Sequence, residues 1–125
     1  MIENREDCAD FCLSPLFLLM TRYREYLSEE QYDRMKRAVL NFRYWIDEPG
    51  NDVMWYFSEN HAMLFHVGQY LAGWMFPDET FPVSGRTGRE QYETGRTRVE
   101  GWFRHFEKYG FAEWNSGTYI PVDLI

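Results

Sequence analysis

The sequence has little basic charge, which bears on its partners. Thirteen Lys and Arg face twenty Asp and Glu, so the formal net charge is −7 and the isoelectric point is near 4.9. Binding to nucleic-acid phosphate depends on clustered cationic charge. This balance therefore argues against a nucleic-acid partner, and an anionic ligand would need a local exception to it.

The sequence also lacks a secretion signal and a membrane span. The apolar run from Phe11 to Met20 follows an acidic N-terminus, whereas a secretory signal begins with positive charge. The second apolar stretch, Glu59 to Phe76, is short and interrupted by Asn, His, Gln and Gly. These patterns predict a cytoplasmic protein with no membrane partner.

Cysteine is scarce, because only Cys8 and Cys12 are present. The i,i+4 spacing makes them neighbours on a helix without favouring a disulfide, and no second Cys pair or nearby His completes a zinc site. A metal or redox role therefore has too few ligands. The prediction is two reduced thiols, with no metal site and no cofactor.

Hydrophobic residues make up 45% and aromatic residues 19% of the 125-residue chain. This content predicts one folded domain over residues 1–125. Caps and helical spacing predict four helices: one from Ser14-Pro15 or Asp10 to Leu27, one from a capping box at Ser28 to Asp47, one from Ser58 to Phe76, and one from a capping box at Thr87 to Gly110.

No segment shows convincing strand alternation. The sequence therefore predicts an all-α fold of two antiparallel helical hairpins. An irregular aromatic tail follows from Phe111, and we expect it to pack as an extended segment or a short strand pair.

The third predicted helix is the centre of the fold, because its polar face is so narrow. Five of its residues share one weakly polar stripe: Glu59, Ala62, His66, Gln69 and Gly73. The rest of its surface is apolar, so we expect other helices to pack on most sides. Asn60 and His61 lie outside the stripe, at the N-terminal end of buried faces, where a cavity mouth could be.

Several short motifs resemble a family of large proteins. They are Tyr44-Trp45-x-Asp47-Glu48-Pro49-Gly50, Ser58-Glu59-Asn60-His61 with Leu71-Ala72-Gly73, Ser84-Gly85-Arg86-Thr87-Gly88, and Phe111-x-Glu113-Trp114. Over roughly residues 4 to 123 the chain resembles a mostly uncharacterised group of helical toroids, akin to the alginate-lyase and heparinase-like (α/α) toroids. The resemblance implies stacked helical hairpins around a carbohydrate-type cleft. Such toroids have several hundred residues, so this chain corresponds to a middle segment.

The resemblance directs attention to three candidate catalytic residues, Asn60, His61 and Tyr119. Eliminative cleavage of a uronate polymer needs a group that neutralises the substrate carboxylate and a base that removes the adjacent proton. Asn60 suits the first role and His61 the second, while Tyr119 could act as acid or base. The alternative is that His61 makes a structural hydrogen bond at the helix start.

Six further residues are candidate ligand-binding residues: Glu59, His66, Arg86, Arg89, Glu113 and Trp114. Trp114 offers a face on which a sugar could stack, and the arginines could recognise a carboxylate. In the alternative interpretation, Trp114 and Tyr119 pin the tail to the helices. Likewise, the arginines between Arg86 and Arg98 would form a solvated face paired with nearby glutamates.

Two functional hypotheses follow. The first, favoured by the shortness of the chain, is a non-catalytic, self-associating helical module with a residual sugar- or anion-binding cleft. The second is a polysaccharide lyase-like or glycoside-cleaving enzyme that uses Asn60, His61 and Tyr119. A homodimer is expected because four short helices cannot bury all the apolar residues of the first helix and the tail.

Overall fold

A computed structural model describes residues 1–119 of the chain. The α-helices are α1 (Leu13–Arg22), α2 (Glu29–Leu40), α3 (Glu59–Met75) and α4 (Gly88–Tyr109). Short 3₁₀ helices at Ala9–Cys12 and Arg24–Tyr26 flank α1. Residues 1–119 contain no strand beyond an isolated bridge between Thr80 and Thr87. The all-α prediction is confirmed, and α3 and α4 form a helical hairpin.

The predicted helix starts at Ser28, Ser58 and Thr87 are confirmed. The Ser28 hydroxyl accepts from the Gln31 N–H at 3.2 Å, and the Gln31 side chain accepts from the Ser28 N–H at 2.9 Å. The Thr87 cap has the same reciprocal arrangement. These bonds satisfy amide groups that have no partner inside the helix, so local sequence is enough to fix the start.

The predicted ends of the first two helices are wrong. Helix α1 ends at Arg22 instead of Leu27, and a 3₁₀ turn follows in which the Arg24 side chain donates to the Leu27 carbonyl at 3.2 Å. Helix α2 ends at Leu40 instead of Asp47. The reason is that the residues after Leu40 satisfy their backbone groups through side chains of their own loop.

Arg43 and Glu48 hold that loop, and both are buried. Arg43 donates to the carbonyls of Glu48 at 2.7 Å and Ile46 at 2.9 Å, and to the carboxylate of Asp52 at 2.7 Å. The Glu48 carboxylate accepts from the Tyr44 N–H at 2.7 Å. Charge-assisted bonds of this kind replace the helical ladder that was predicted to continue to Asp47.

Helices α3 and α4 approach each other backbone to backbone. A methyl group on Gly73 would lie 2.3 Å from the Tyr92 nitrogen, and one on Gly95 would lie 2.5 Å from the Tyr70 nitrogen. The weakly polar stripe of α3 therefore faces α4, and its residues His66 and Gln69 are buried. The remaining faces of α3 pack against a core centred on Phe42, Tyr44, Tyr56, Phe65, Phe81 and Phe17.

The tail packs on α4 as an aromatic cluster. The Phe111 ring stacks on Phe106 at 4.7 Å and on Trp114 at 5.3 Å, and Trp102 lies 5.1 Å from Trp114. Residues 111–119 form turns, so the expected extended segment or strand pair is wrong for this part, while residues 120–125 lie outside the described range. Within residues 1–119, no helix is long and apolar enough to cross a membrane.

Candidate functional site

Asn60 and His61 occupy the first turn of α3, and Asp10, which was not among the predicted site residues, contacts His61 there. The His61 Nδ1 atom lies 2.7 Å from the Asp10 carboxylate, and the Asp10 side chain is completely buried. The Phe11 ring meets the imidazole edge-on, with 5.1 Å between centroids. A carboxylate at Nδ1 fixes the orientation of the ring and leaves Nε2 for acid–base chemistry.

The buried Asp10 carboxyl is electrostatically strained. Burial raises its pKa, and the neighbouring His61 opposes this by favouring the ionised form. Its Oδ2 atom contacts His61, while Oδ1 has no hydrogen-bond partner among the described residues. An ionised carboxylate in an apolar site needs a partner. The Asp10–His61 pair therefore has the composition of a general-base dyad and is also a buried structural pair.

Glu59, Glu113 and the backbone of Asn60 are engaged in docking the tail. The Glu59 carboxylate accepts from the Ala112 N–H at 2.7 Å and from the Trp114 N–H at 3.1 Å. The Glu113 carboxylate accepts from the Asn60 N–H at 3.2 Å. Burial acts to raise the pKa of Glu59, but the backbone N–H donors lower it overall. Both carboxylates are thus committed to protein contacts.

Trp114 and Tyr119 both lie in the tail, and the bond from the Trp114 N–H to Glu59 holds Trp114 next to this helix start. The Trp114 ring is part of the aromatic cluster, and its indole nitrogen is buried without a partner in the described residues. The Tyr119 N–H donates to the Ser116 carbonyl at 3.0 Å. The tail contacts of Trp114 agree with the interpretation in which it pins the tail to the helices.

A groove of about 530 Å³ opens between α3 and α4; we call it the α3–α4 groove. Its aromatic wall consists of Phe57, Trp102 and Phe106, and its polar groups include Glu59, His66, Arg98 and His105. Phe57 is 66% exposed. The groove thus combines an exposed ring with charged and polar side chains, which is the composition of small-molecule sites.

His66 is the most unusual polar group of this groove. Its side chain is buried against the Trp45 ring, 4.3 Å between centroids, and its Nδ1 atom has no hydrogen-bond partner among residues 1–119. Burial, aided by the positive charge of Arg98, lowers the pKa of His66 to about 4. At neutral pH the imidazole is therefore uncharged, and its Nδ1 atom is enclosed by protein without a hydrogen bond.

Arg98 is held in place beside His66. It donates to the Asp47 carboxylate and to the Gln69 side-chain oxygen, each at 2.7 Å. Its guanidinium also lies over the Trp45 ring at 5.7 Å. Two of its five N–H donors make these bonds, so the guanidinium has donors left for a ligand.

The remaining predicted arginines differ in environment. Arg86 binds the carboxylates of Asp47 and Glu48, each at 3.1 Å, and thereby ties the loop before α4 to the loop after α2. Burial raises the pKa of Glu48 despite its hydrogen bonds. Arg89 is largely exposed and pairs with Asp78 at 2.8 Å. The structure therefore brings Arg86 into a buried network and leaves Arg89 on the surface.

The sequence-predicted residues thus fall into three adjoining groups: the helix start with its tail, the groove with His66, and the Arg86 network. Glu59 joins the first two groups, Asp47 joins the last two, and Arg89 stands apart on the surface. Sequence reasoning missed Asp10, Trp102 and His105. Asp10 had no local signal, because it lies 51 residues from His61. Within residues 1–119, no group of three or more His, Cys, Asp or Glu side chains could hold a metal ion.

The chain matches none of the protein-family models, curated proteins or solved structures with which it was compared. The resemblance to the (α/α) toroids therefore stays a hypothesis that depends on the short motifs alone.

Proposed function

We propose that the chain is a non-catalytic helical module that binds a carbohydrate in the α3–α4 groove. The observation that carries this proposal is the α3–α4 groove itself, whose lining combines Arg98 and the uncharged His66 with the exposed ring of Phe57. A sugar offers hydroxyl groups that donate and accept hydrogen bonds, together with an apolar ring face. It would accept hydrogen bonds from the Arg98 guanidinium while its ring packs on the aromatic wall.

The charges of the groove favour a sugar over a simple anion. Arg98 already pairs with Asp47, and Glu59 adds a second carboxylate to the lining. A small inorganic anion would therefore meet little net positive charge. A sugar needs no net charge, and one carrying a single carboxylate could still use the remaining donors of Arg98.

Titration with neutral and uronic oligosaccharides, followed by tryptophan fluorescence, tests this proposal. Phe57→Ala removes an exposed ring of the groove and should abolish the response. Tyr26→Ala removes a similarly exposed ring, 76% against 66%, from the 3₁₀ helix after α1, which does not line the groove, and should leave binding unchanged. Equal loss in both variants, or no binding of any sugar by the unmodified protein, would overturn the proposal.

The second candidate is the lyase-like or glycoside-cleaving enzyme, and the Asp10–His61 pair supports it. Asp10 orients the imidazole in the way that a general base requires, and Asn60 is adjacent. Lyase action on alginate or heparin-type chains would give unsaturated ends that absorb in the near ultraviolet. We expect no turnover, and turnover that His61→Ala abolishes would make the enzyme the leading hypothesis.

We further propose that the module self-associates through α1 and the residues that flank it. Phe11, Leu18, Leu19 and Tyr23 are each at least 40% exposed, whereas Phe17 and Met20 are buried within the chain. A second copy could cover the exposed side chains by a two-fold contact. Sedimentation across a dilution series should show a dimer that Leu18→Glu dissociates, while Trp74→Glu, on α3, leaves it intact. A folded monomer at micromolar concentration would refute self-association.

A further inference from the structure

Three sulfur-bearing side chains line one groove between the N-terminal segment, α1 and α2. They are Met1, Cys12 and Met35, and we call this cavity of about 490 Å³ the sulfur groove. Ile2, Leu16 and Ala38 supply much of its remaining wall. The charged groups at its edge neutralise each other, because Arg34 pairs with Glu3 at 3.0 Å.

The spacing of two of these sulfurs suits a shared metal ion. The Cys12 Sγ atom lies 3.9 Å from the Met1 Sδ atom. Two sulfurs bound to one metal at about 2.3 Å are separated by roughly 3.8 Å at a tetrahedral angle and roughly 4.0 Å at a trigonal one. A linear pair would be about 4.6 Å apart on the same bond length. The observed separation therefore allows one ion to bind both sulfurs without moving them apart, and Met35 lines the same groove as a third sulfur ligand.

The ligand chemistry selects the ion. Thiolate and thioether sulfurs are soft ligands that favour Cu(I), whereas divalent zinc prefers several thiolates or imidazoles. One Cys12 thiolate with one monovalent ion is also electrically neutral, which suits an apolar groove, while a divalent ion would leave a buried positive charge. Cys8 does not line the groove and its side chain is exposed.

We propose that Cys12, Met1 and Met35 form a binding site for a single Cu(I) ion. On binding, the Cys12 thiol releases its proton and the metal–sulfur bonds replace the contact between Sγ and Sδ. No electron is transferred, because the ion is bound already reduced. The site is on a different part of the molecule from the α3–α4 groove and does not depend on sugar binding.

The test is an anaerobic titration of the reduced protein with Cu(I) in competition with a coloured Cu(I) chelator. One equivalent should bind. Cys12→Ser should lower the affinity by about 100-fold or more, since removing even a group that only supports a metal ligand costs 10- to 100-fold. Met35→Leu keeps the apolar volume of the groove and should also weaken binding, by about tenfold.

Two control variants separate this site from a simple pair of thiols. Cys8→Ser and Met63→Leu should leave the affinity unchanged, and X-ray absorption should show only sulfur neighbours at about 2.3 Å. A loss in Cys8→Ser as large as that in Cys12→Ser would overturn the proposal in favour of a dithiolate. Absence of Cu(I) binding, an unaffected Met35→Leu variant, or equally tight binding of Zn²⁺ would also overturn it. Circular dichroism confirms the fold of each variant.

Discussion

Replacing Gly95 by alanine should destabilise the protein, although alanine is the better helix former. In an unconstrained helix interior this change stabilises by about 1 kcal/mol, since glycine loses more backbone entropy on folding. At position 95 the added methyl would lie 2.5 Å from the Tyr70 nitrogen, 2.7 Å from its Cα and 3.0 Å from the Gln69 carbonyl carbon. These neighbours are backbone atoms of α3, so relief requires the two helices to separate.

The expected magnitude follows from the two opposing effects. Overpacking typically costs about 1 to 3 kcal/mol, and contact with backbone places this site at the upper end of that range. After subtracting the propensity gain of about 1 kcal/mol, the net loss is about 2 kcal/mol. For a chain of this size, that loss corresponds to a melting temperature lower by roughly 6 to 12 °C.

Gly101→Ala provides a matched control on the same helix. A methyl there would meet only the Arg104 guanidinium, at 3.9 Å, so the propensity gain should remain. Urea unfolding should therefore show the two variants displaced in opposite directions from the unmodified protein, by about 2 kcal/mol downward and up to about 1 kcal/mol upward. If Gly95→Ala is as stable as Gly101→Ala, the close approach of α3 and α4 is refuted.

Three other predictions follow from buried polar groups. The pKa of His66 is lowered to about 4 in the folded protein, so the unfolded chain binds a proton more readily below pH 6.5. The free energy of unfolding should therefore fall by up to about 3 kcal/mol as the pH drops from 6.5 to 4. His66→Gln should flatten this part of a plot of urea midpoint against pH. His61→Ala should cost about 3 kcal/mol or more at neutral pH, since it leaves the Asp10 carboxylate buried without its partner; a calorimetric loss below 1 kcal/mol would contradict this. Arg98→Gln should lower the free energy of unfolding by about 1 to 3 kcal/mol, because Arg98 is largely buried and has two partners. Arg89→Gln should lower it by less than about 0.5 kcal/mol, because Arg89 pairs with Asp78 on the surface. Equal shifts in melting temperature for the two variants would contradict this.

The helix starts could be predicted from sequence, because a cap is a local event. Ser28 and Thr87 each bond to an amide three residues away, so a four-residue window contains both the donor and the acceptor. The end of α2 depended on Arg43, which binds carbonyls as far as Asn51. Nothing in helical spacing reveals that a buried guanidinium will satisfy a loop.

The candidate sites could be predicted only in part, for a similar reason. His61 and His66 stood out because they interrupt an apolar helix. Asp10, which pairs with His61, and Arg98, which lowers the pKa of His66, come from distant segments. Each stands in a charged stretch that is indistinguishable from solvated surface. The sulfur groove likewise joins Met1 to Cys12 and Met35, three residues that share no spacing motif.

The polar stripe of α3 shows how fold and site are connected. On an isolated helix such a stripe would face water, but here Gln69 donates to Gln91 and accepts from Arg98, so its polarity is satisfied inside the seam with α4. Glycines on both helices let the backbones come close enough for these short side chains to meet. Since the polar bonds form in only one register, they also determine which residues of α4 stand opposite His66. The position of the unsatisfied imidazole in the groove is therefore a consequence of the same seam that holds the hairpin together.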